Sequence, residues 1–288
     1  MNGDESLSLA RLKNEHACLK KGSFNVKNAF KVIAVGLLVL VVTACSNAEA
    51  KGSLTAQKVF EKAKVASTKL ESVHSGIVFE DFWKTTAPLN KKNVKFEFNA
   101  DASLHPETFK QHLIVRTTGE EAREADLYKV DDRLFIKEDP KQPLEELPSG
   151  TLSELYGAMM EHVNPTLNLS FFDRFADDFE LEPIDYGYNL KLSLSREQYY
   201  EFQKTVFGVD KVSGEYPLIN KFDIVIGIDS NTFYTTDFKM TMDTTTYSTT
   251  KVDGNSHRVK QTISAVYSKY DNVGAIKMPT DVLEAAAQ

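Results

Sequence analysis

The sequence predicts an α+β domain built on one curved antiparallel sheet with helices on one face. Three observations predict it. The apolar period is helical from Leu54 to Val73 and then switches to two. The alternating segments that follow are long and bounded by turn residues. Helical spacing returns only in mid-chain, around residues 151–179 and again after Ser195.

The first element places Leu54, Val59, Phe60, Ala63, Ala66, Leu70 and Val73 mostly three or four residues apart, with Lys and Glu between. That is an amphipathic helix, and Ser53 is its expected N-cap. Alternation then begins with Ile77 and Phe79 and continues through Val94, Phe96, Phe98 and Ala100, then Gln111, Leu113 and Val115. Leu127–Val130 and Leu134–Ile136 flank Asp131-Asp132, a hairpin turn signal, so five antiparallel strands are expected. Pro140 to Pro148 marks an internal loop. Leu152, Leu155, Tyr156 and Met159 have helical spacing; Pro165 breaks it; Leu167, Phe171, Phe172 and Phe175 suggest a second short helix. Tyr188, Leu190, Leu192 and Leu194 restore the strand pattern. Ser195-x-x-Gln198 reads as a capping box opening a helix with Tyr199, Phe202 and Val206 on one face. Three long strands close the chain: Phe222–Ile228, Tyr234–Thr246 and Val259–Tyr270. Asp229-Ser230-Asn231 and Asp253-Gly254 are the turns between them.

The N-terminal region has a different character. Lys20, Lys21, Lys27 and Lys31 precede the 11-residue apolar run Val32–Val42, which ends Val42-Thr43-Ala44-Cys45. As a helix that run rises only about 16 Å, too short for a hydrocarbon core about 30 Å thick. Basic n-region, apolar h-region and small residues form a secretory signal, and small residues followed by Cys resemble the lipobox of bacterial lipoproteins. The resemblance implies a diacylglyceryl group on Cys45, cleavage before it, and an acylated N-terminus. Residues 1–44 are then the signal peptide, 45–53 a lipidated Cys and flexible tether, and 54–288 a single domain. The acidic residues Asp4, Glu5 and Glu15 suit no n-region, and Lys27-Asn28-Ala29-Phe30-Lys31 would make a compact one. Translation from Val26 is therefore expected, with residues 1–25 outside the natural leader; the alternative is a genuinely long n-region.

Charge and cysteine content narrow the function. Residues 1–44 carry six Lys/Arg and three Asp/Glu, which leaves −10 of the whole-chain −7 for the exported part. An acidic surface argues against nucleic acid and against polybasic attachment to anionic lipid. Two acyl chains suffice for anchoring. The other cysteine, Cys18, lies upstream of the cleavage point, so the domain is expected to have no disulfide and no thiolate metal site. The six histidines make no H-x-H, H-x-x-x-H or H-E-x-x-H spacing, and there is no Gly-x-Ser-x-Gly elbow or phosphate-binding glycine loop. Asp173, Asp177, Asp178 and Glu180 read as a solvated helix face, as do Glu120, Glu121 and Glu124 for a loop. No catalytic residue, metal or cofactor is expected, although a triad can assemble from distant positions.

Three motifs carry a family resemblance. Leu54-Thr55-Ala56-x-x-Val59-x-x-Lys62-Ala63, ending Leu70-x-Ser72-Val73, resembles the first helix of LolA-like and LppX-like bacterial lipoproteins. Ile228-Asp229-x-x-Thr232-x-Tyr234 is similar to a later hairpin of that family. Tyr270-Asp271-Asn272-Val273-x-x-Ile276-x-x-Pro279-x-x-Val282 is similar to its C-terminal segment. The resemblance implies a curved antiparallel half-barrel with helices covering the concave face and an apolar cavity between. It also implies lipid or acyl-chain binding, and the layout is closest to Gram-positive members of unassigned activity. Cys45 departs from free periplasmic carriers and argues for local binding rather than shuttling.

The expected cavity lining is Phe96, Phe98, Leu113, Leu190, Leu192, Ile224, Ile226, Met240 and Met242. Each set falls on one face by the period of two. The expected cover is Met159, Met160, Phe171, Phe172 and Phe175, since Met side chains suit a deformable apolar surface. The function expected is a non-enzymatic lipoprotein on the extracytoplasmic face of a bacterial plasma membrane that binds a lipid or other apolar molecule. The alternative is a protein-docking or sensing module of the same fold with a filled core; a hydrolase is the weaker third reading.

Overall fold

The computed structural model describes residues 54–86, 89–139, 141–148, 165–207, 218–247 and 256–288. Cys45, the signal peptide, the tether, Ser53, Met159, Met160, the helix expected around Leu152–Met159 and the Asp253-Gly254 turn lie outside the described residues. Among the described residues no helix is long and apolar enough to cross a membrane.

Helix α1 spans Ala56–Ser67 and buries Val59, Phe60 and Ala63. Thr55 is its N-cap, accepting from the Lys58 N–H at 3.3 Å. With Ala56 as the first helical residue, only Thr55 can reach the orphan N–H of the first turn. The helix stops six residues before Val73, which instead enters strand β1 (Ser72–Thr86). The Leu70–Val73 spacing of three is helical, and the pairing of β1 with two neighbouring strands overrides it.

The remaining strands are β2 (Leu89–Leu104), β3 (Glu107–Thr117), β4 (Arg123–Val130), β5 (Arg133–Lys137), β6 (Glu145–Leu147), β7 (Glu180–Ile184), β8 (Gly187–Ser193), β9 (Leu218–Asp229), β10 (Thr235–Tyr247) and β11 (Ser256–Ser268). They form one open, curved antiparallel half-barrel in the order β6-β5-β4-β3-β2-β1-β11-β10-β9-β8-β7. The chain enters mid-sheet at β1 and meanders out to β6. It then passes to the opposite edge at β7 and meanders back to β11, which pairs with β1. The sequence pattern contains β1–β5 and β8–β11 but not β6 and β7, which at three and five residues are too short to display a period. Pro183 in β7 is tolerated because that strand is an edge.

Turn chemistry closes the hairpins. Asp131 takes φ 53° in the two-residue β4–β5 turn, a conformation Asp adopts with little penalty. Asp229 Oδ1 accepts from the N–H groups of Asn231 and Thr232 and from the Thr232 hydroxyl, at 2.8–2.9 Å. Burial opposes ionisation of Asp229, but those donors outweigh it and hold its carboxyl below the usual range. The motif at Tyr270-Asp271 is a clasp between β1 and β11. Asp271 Oδ1 accepts from Glu71 N–H at 2.7 Å, its Oδ2 accepts from the Tyr234 hydroxyl at 3.0 Å, and the Tyr270 hydroxyl donates to the Thr235 carbonyl. Both resemblance motifs at these places thus hold strands together.

Between β6 and β7 lies a 3-10 helix, Leu169–Asp178, where the second short helix of the mid-chain insert is expected. Helix α2 (Arg196–Phe207) carries the expected capping box. Ser195 N–H donates to Gln198 Oε1 at 3.0 Å, and Gln198 N–H to Ser195 Oγ at 3.3 Å. A short helix α3 (Thr280–Ala286) has no counterpart in the sequence pattern. It packs Val282 against Tyr128 and Phe135, on the face of β4–β5 opposite to Leu127 and Ile136. Arg133 Nη1 donates to the Ala285 and Ala286 carbonyls at 2.7 and 3.1 Å, satisfying the helix end.

Candidate functional site

Period-two burial gives the sheet one apolar face. In register across nine strands lie Ala125, Leu113, Phe98, Ile77, Ala265, Phe238, Ile226, Leu190 and Leu181. A second row runs Val115, Phe96, Phe79, Ile263, Met240, Ile224 and Leu192. All nine residues expected to line a cavity sit on this face. Eight are buried, and Met242 is partly buried against the same core.

Over the β8–β10 half the face is sealed by side chains. Phe172 and Phe175 of the 3-10 helix are buried, and Phe171 is partly buried against the core. Phe172 meets Phe238 at 6.2 Å and Phe202 at 6.1 Å between ring centroids. Phe202 and Tyr199 of α2 meet Phe222 at 5.1 and 5.2 Å, and Phe60 of α1 stacks on Phe179 at 5.5 Å. The Tyr199 hydroxyl donates to Met242 Sδ at 3.1 Å, and burial pushes its pKa up. The acidic cluster ties this cover together rather than facing only solvent. Asp173 pairs with Lys64 of α1 at 2.6 Å, and Asp178 accepts from Gln198 Nε2 of α2 at 2.8 Å.

The β1–β4 half differs in two ways. A cavity of about 250 Å³ opens at the flank, floored by Leu113, Val115 and Ala125 and rimmed by Arg123, Glu124, Glu138, Asp139 and Gln142. Polar groups also occupy core-face positions. Ser75 is 0 % exposed and Gln111 3 %, yet among the described residues Ser75 Oγ and Gln111 Nε2 have no hydrogen-bond partner. Asp81, two positions beyond Phe79 on the same face, has an Oδ1 without a partner among the described residues. Burial raises its pKa, with hydrogen bonds from Trp83 and Gln261 opposing. The only sequence signal for these three is a polar residue standing in the apolar phase of a strand.

Apart from the Tyr128–Phe135 patch under α3, the opposite face carries ion pairs. His74 pairs with Asp101 at 2.7 Å and His112 with Asp126 at 2.9 Å. Asp243 accepts from Arg258 at 2.5 and 2.9 Å and from Asn220 at 3.0 Å, and these donors hold its carboxyl below the usual range. Among the described residues no three His, Cys, Asp or Glu converge as a metal set would.

The chain belongs to a family of unknown function, DUF6612, whose match spans residues 55–287. No curated protein matches it in sequence. Among solved structures it is similar to the lipoprotein LppX of Mycobacterium tuberculosis, at 11% identity and TM-score 0.39, over 78% of this chain and 98% of that one. It is also similar to a LolA superfamily protein from Nitrosomonas europaea, at 13% identity and TM-score 0.26, over 80% and 97%. A DUF1329 family protein from Desulfovibrio piger gives 12% identity and TM-score 0.29, over 77% and 95%.

Proposed function

We propose that this protein is a non-enzymatic lipoprotein, anchored through Cys45 to the extracytoplasmic face of a bacterial membrane, that holds an apolar ligand against the core face of its sheet. The observation that carries the reading is the continuous apolar face, with its rows emerging at the β3–β5 flank as the floor of an open cavity. Its floor of Leu113, Val115 and Ala125 is apolar and its rim is polar and charged, so an apolar chain would lie on the floor. Burying a chain there is worth about 0.8 kcal/mol per methylene, so affinity needs no charged contact.

A second reading is a protein-docking module with a filled core. The side-chain seal over β8–β10 favours it. Native mass spectrometry of the purified protein separates the two: co-purified lipid supports the first, and its absence together with no uptake of a fluorescent fatty acid supports the second. Anchoring is checked separately. Cys45→Ala should abolish labelling by a radiolabelled fatty acid, and labelling that persists would refute the anchor.

A further inference from the structure

We propose that one end of the sheet, where β1 and β10 finish and β2, β9 and β11 begin, docks on an anionic phospholipid surface. The proposal goes beyond the apolar-ligand reading and rests neither on it nor on the acyl anchor.

The exported part is acidic as a whole, yet strand register gathers cations at this end. Lys91, Lys84 and Arg258 lie side by side on β2, β1 and β11. Like charges directly opposite one another on neighbouring strands are destabilising. Asp243 pairs with Arg258 at 2.5 Å, but Lys84, Lys91 and Lys92 make no ion pair among the described residues. Within residues 82–86, 89–93, 218–221, 243–247 and 256–260, Asp243 is the one carboxylate. It stands against Lys84, Lys91, Lys92, Lys221, Arg258 and Lys260. Such repulsion contributes nothing to the fold, and an external anionic surface offsets it.

The same end presents apolar side chains to solvent. Eight large apolar residues are exposed among the described residues, and four of them, Trp83, Leu89, Leu218 and Tyr247, are here. Leu89 is 69 % exposed and Trp83 51 %. Trp83 continues the core-face phase of Phe79 and Asp81 and stands opposite Lys92. Its indole N–H donates to Asp81, which holds the ring at the strand end. Tyr247, Ser256, Thr86 and Leu89 form one row on the other face, and Leu218, opposite Thr245, points the same way. Apolar groups therefore project from both faces of the sheet end. A folded partner packed on one face would leave the other in water, whereas a bilayer interface takes in the whole end. Trp and Tyr favour that zone, where an apolar ring and a polar tip are both accommodated. Lysine stems can lie along apolar surface while their ammonium groups reach the phosphates.

Trp83 is the sole tryptophan of the chain, so intrinsic emission reports this end alone. The full chain is reconstituted on vesicles of phosphatidylcholine, and on vesicles of equal parts phosphatidylcholine and phosphatidylglycerol. On the anionic vesicles the emission should shift to the blue and be quenched by lipids brominated on the acyl chain. On the neutral vesicles it should stay where a solvent-exposed indole emits. Lys84→Gln and Lys91→Gln should each lower the docked-to-undocked ratio, read from the quenched fraction, about fivefold. Neither should lower the thermal midpoint, because each relieves like-charge repulsion. Salt at about 1 M, which cuts the screening length to about 3 Å, should release the end. Emission that is unshifted and unquenched on the anionic vesicles overturns the proposal. Equal quenching on both kinds of vesicle, or an unchanged ratio in both variants, overturns it as well. Each of these outcomes leaves the apolar-ligand reading standing, and a protein that purifies without lipid leaves the docking surface standing.

Discussion

The two halves of the core face obey the same alternation and end in different states. On β8–β10 the inward positions Tyr188–Leu192, Phe222–Ile228 and Phe238–Met242 hold large apolar side chains, and rings from three helical elements close over them. On β1–β3 the inward positions include Ser75, Asp81, Ala100, Ala102 and Gln111, and the flank opens into a cavity above Leu113 and Val115. Both halves are buried within the protein, so alternation sets which side chains leave water but not how large or how polar they are.

Truncation should break this contrast most visibly. Ile226→Ala, in the sealed half, should cost about 3–5 kcal/mol in urea unfolding, because its neighbours Phe238 and Leu190 are held and cannot collapse into the void. Leu113→Ala should cost about 2–3 kcal/mol, because that residue already borders a cavity. Equal costs would mean that the halves are packed alike. Ile226→Asp should prevent folding altogether, since it buries a carboxylate with no partner.

Two carboxylates sharpen the comparison through pH. Asp243, on the polar face behind the sealed half, has its pKa lowered first by the Arg258 hydrogen bond. It contributes stability above the unfolded value of 3.8, and that contribution is lost as pH falls through the lower folded value. Asp243→Asn should cost about 1–2 kcal/mol at pH 7, with the deficit vanishing in acid. Asp81 has the opposite sign: burial raises its pKa, so the native state binds a proton more tightly than the unfolded chain. Stability then falls as pH rises from 3.8 towards the folded value. Asp81→Asn should raise the thermal midpoint at pH 7 by a small margin, about 0.5 kcal/mol after allowance for partial exposure, and leave it unchanged in strong acid. A lower midpoint at pH 7 would show that the Gln261 and Trp83 hydrogen bonds outweigh burial.

Local signals in the sequence were sufficient for much of this. Alternation in Phe96–Ala100 or Leu190–Leu194 puts each set on one face because side chains in a strand point alternately to either side. Ser195 and Gln198 announce a helix start, and Asp229 a turn, because each makes its bonds within a few residues. Long-range facts were not legible in the same way. Helix α1 ends at Ser67 because β1 is claimed by β2 and by β11, nearly two hundred residues away. Edge strands β6 and β7 exist only by pairing with a longer neighbour, and α3 forms where Tyr128 and Phe135 offer an apolar patch on the outer face.

The same division holds for the candidate site. By itself the sequence determined that Phe96, Phe98, Leu113, Leu190, Leu192, Ile224, Ile226, Met240 and Met242 would be buried strand residues, because apolar side chains at period two leave water together. Only the tertiary structure decided that these segments share one face, which half of it is sealed by rings, and that Ser75 Oγ and Gln111 Nε2 are buried without partners among the described residues. Hydrogen-bond satisfaction depends on what lies within about 3 Å of an atom, and that is set by the register of strands far apart in the chain.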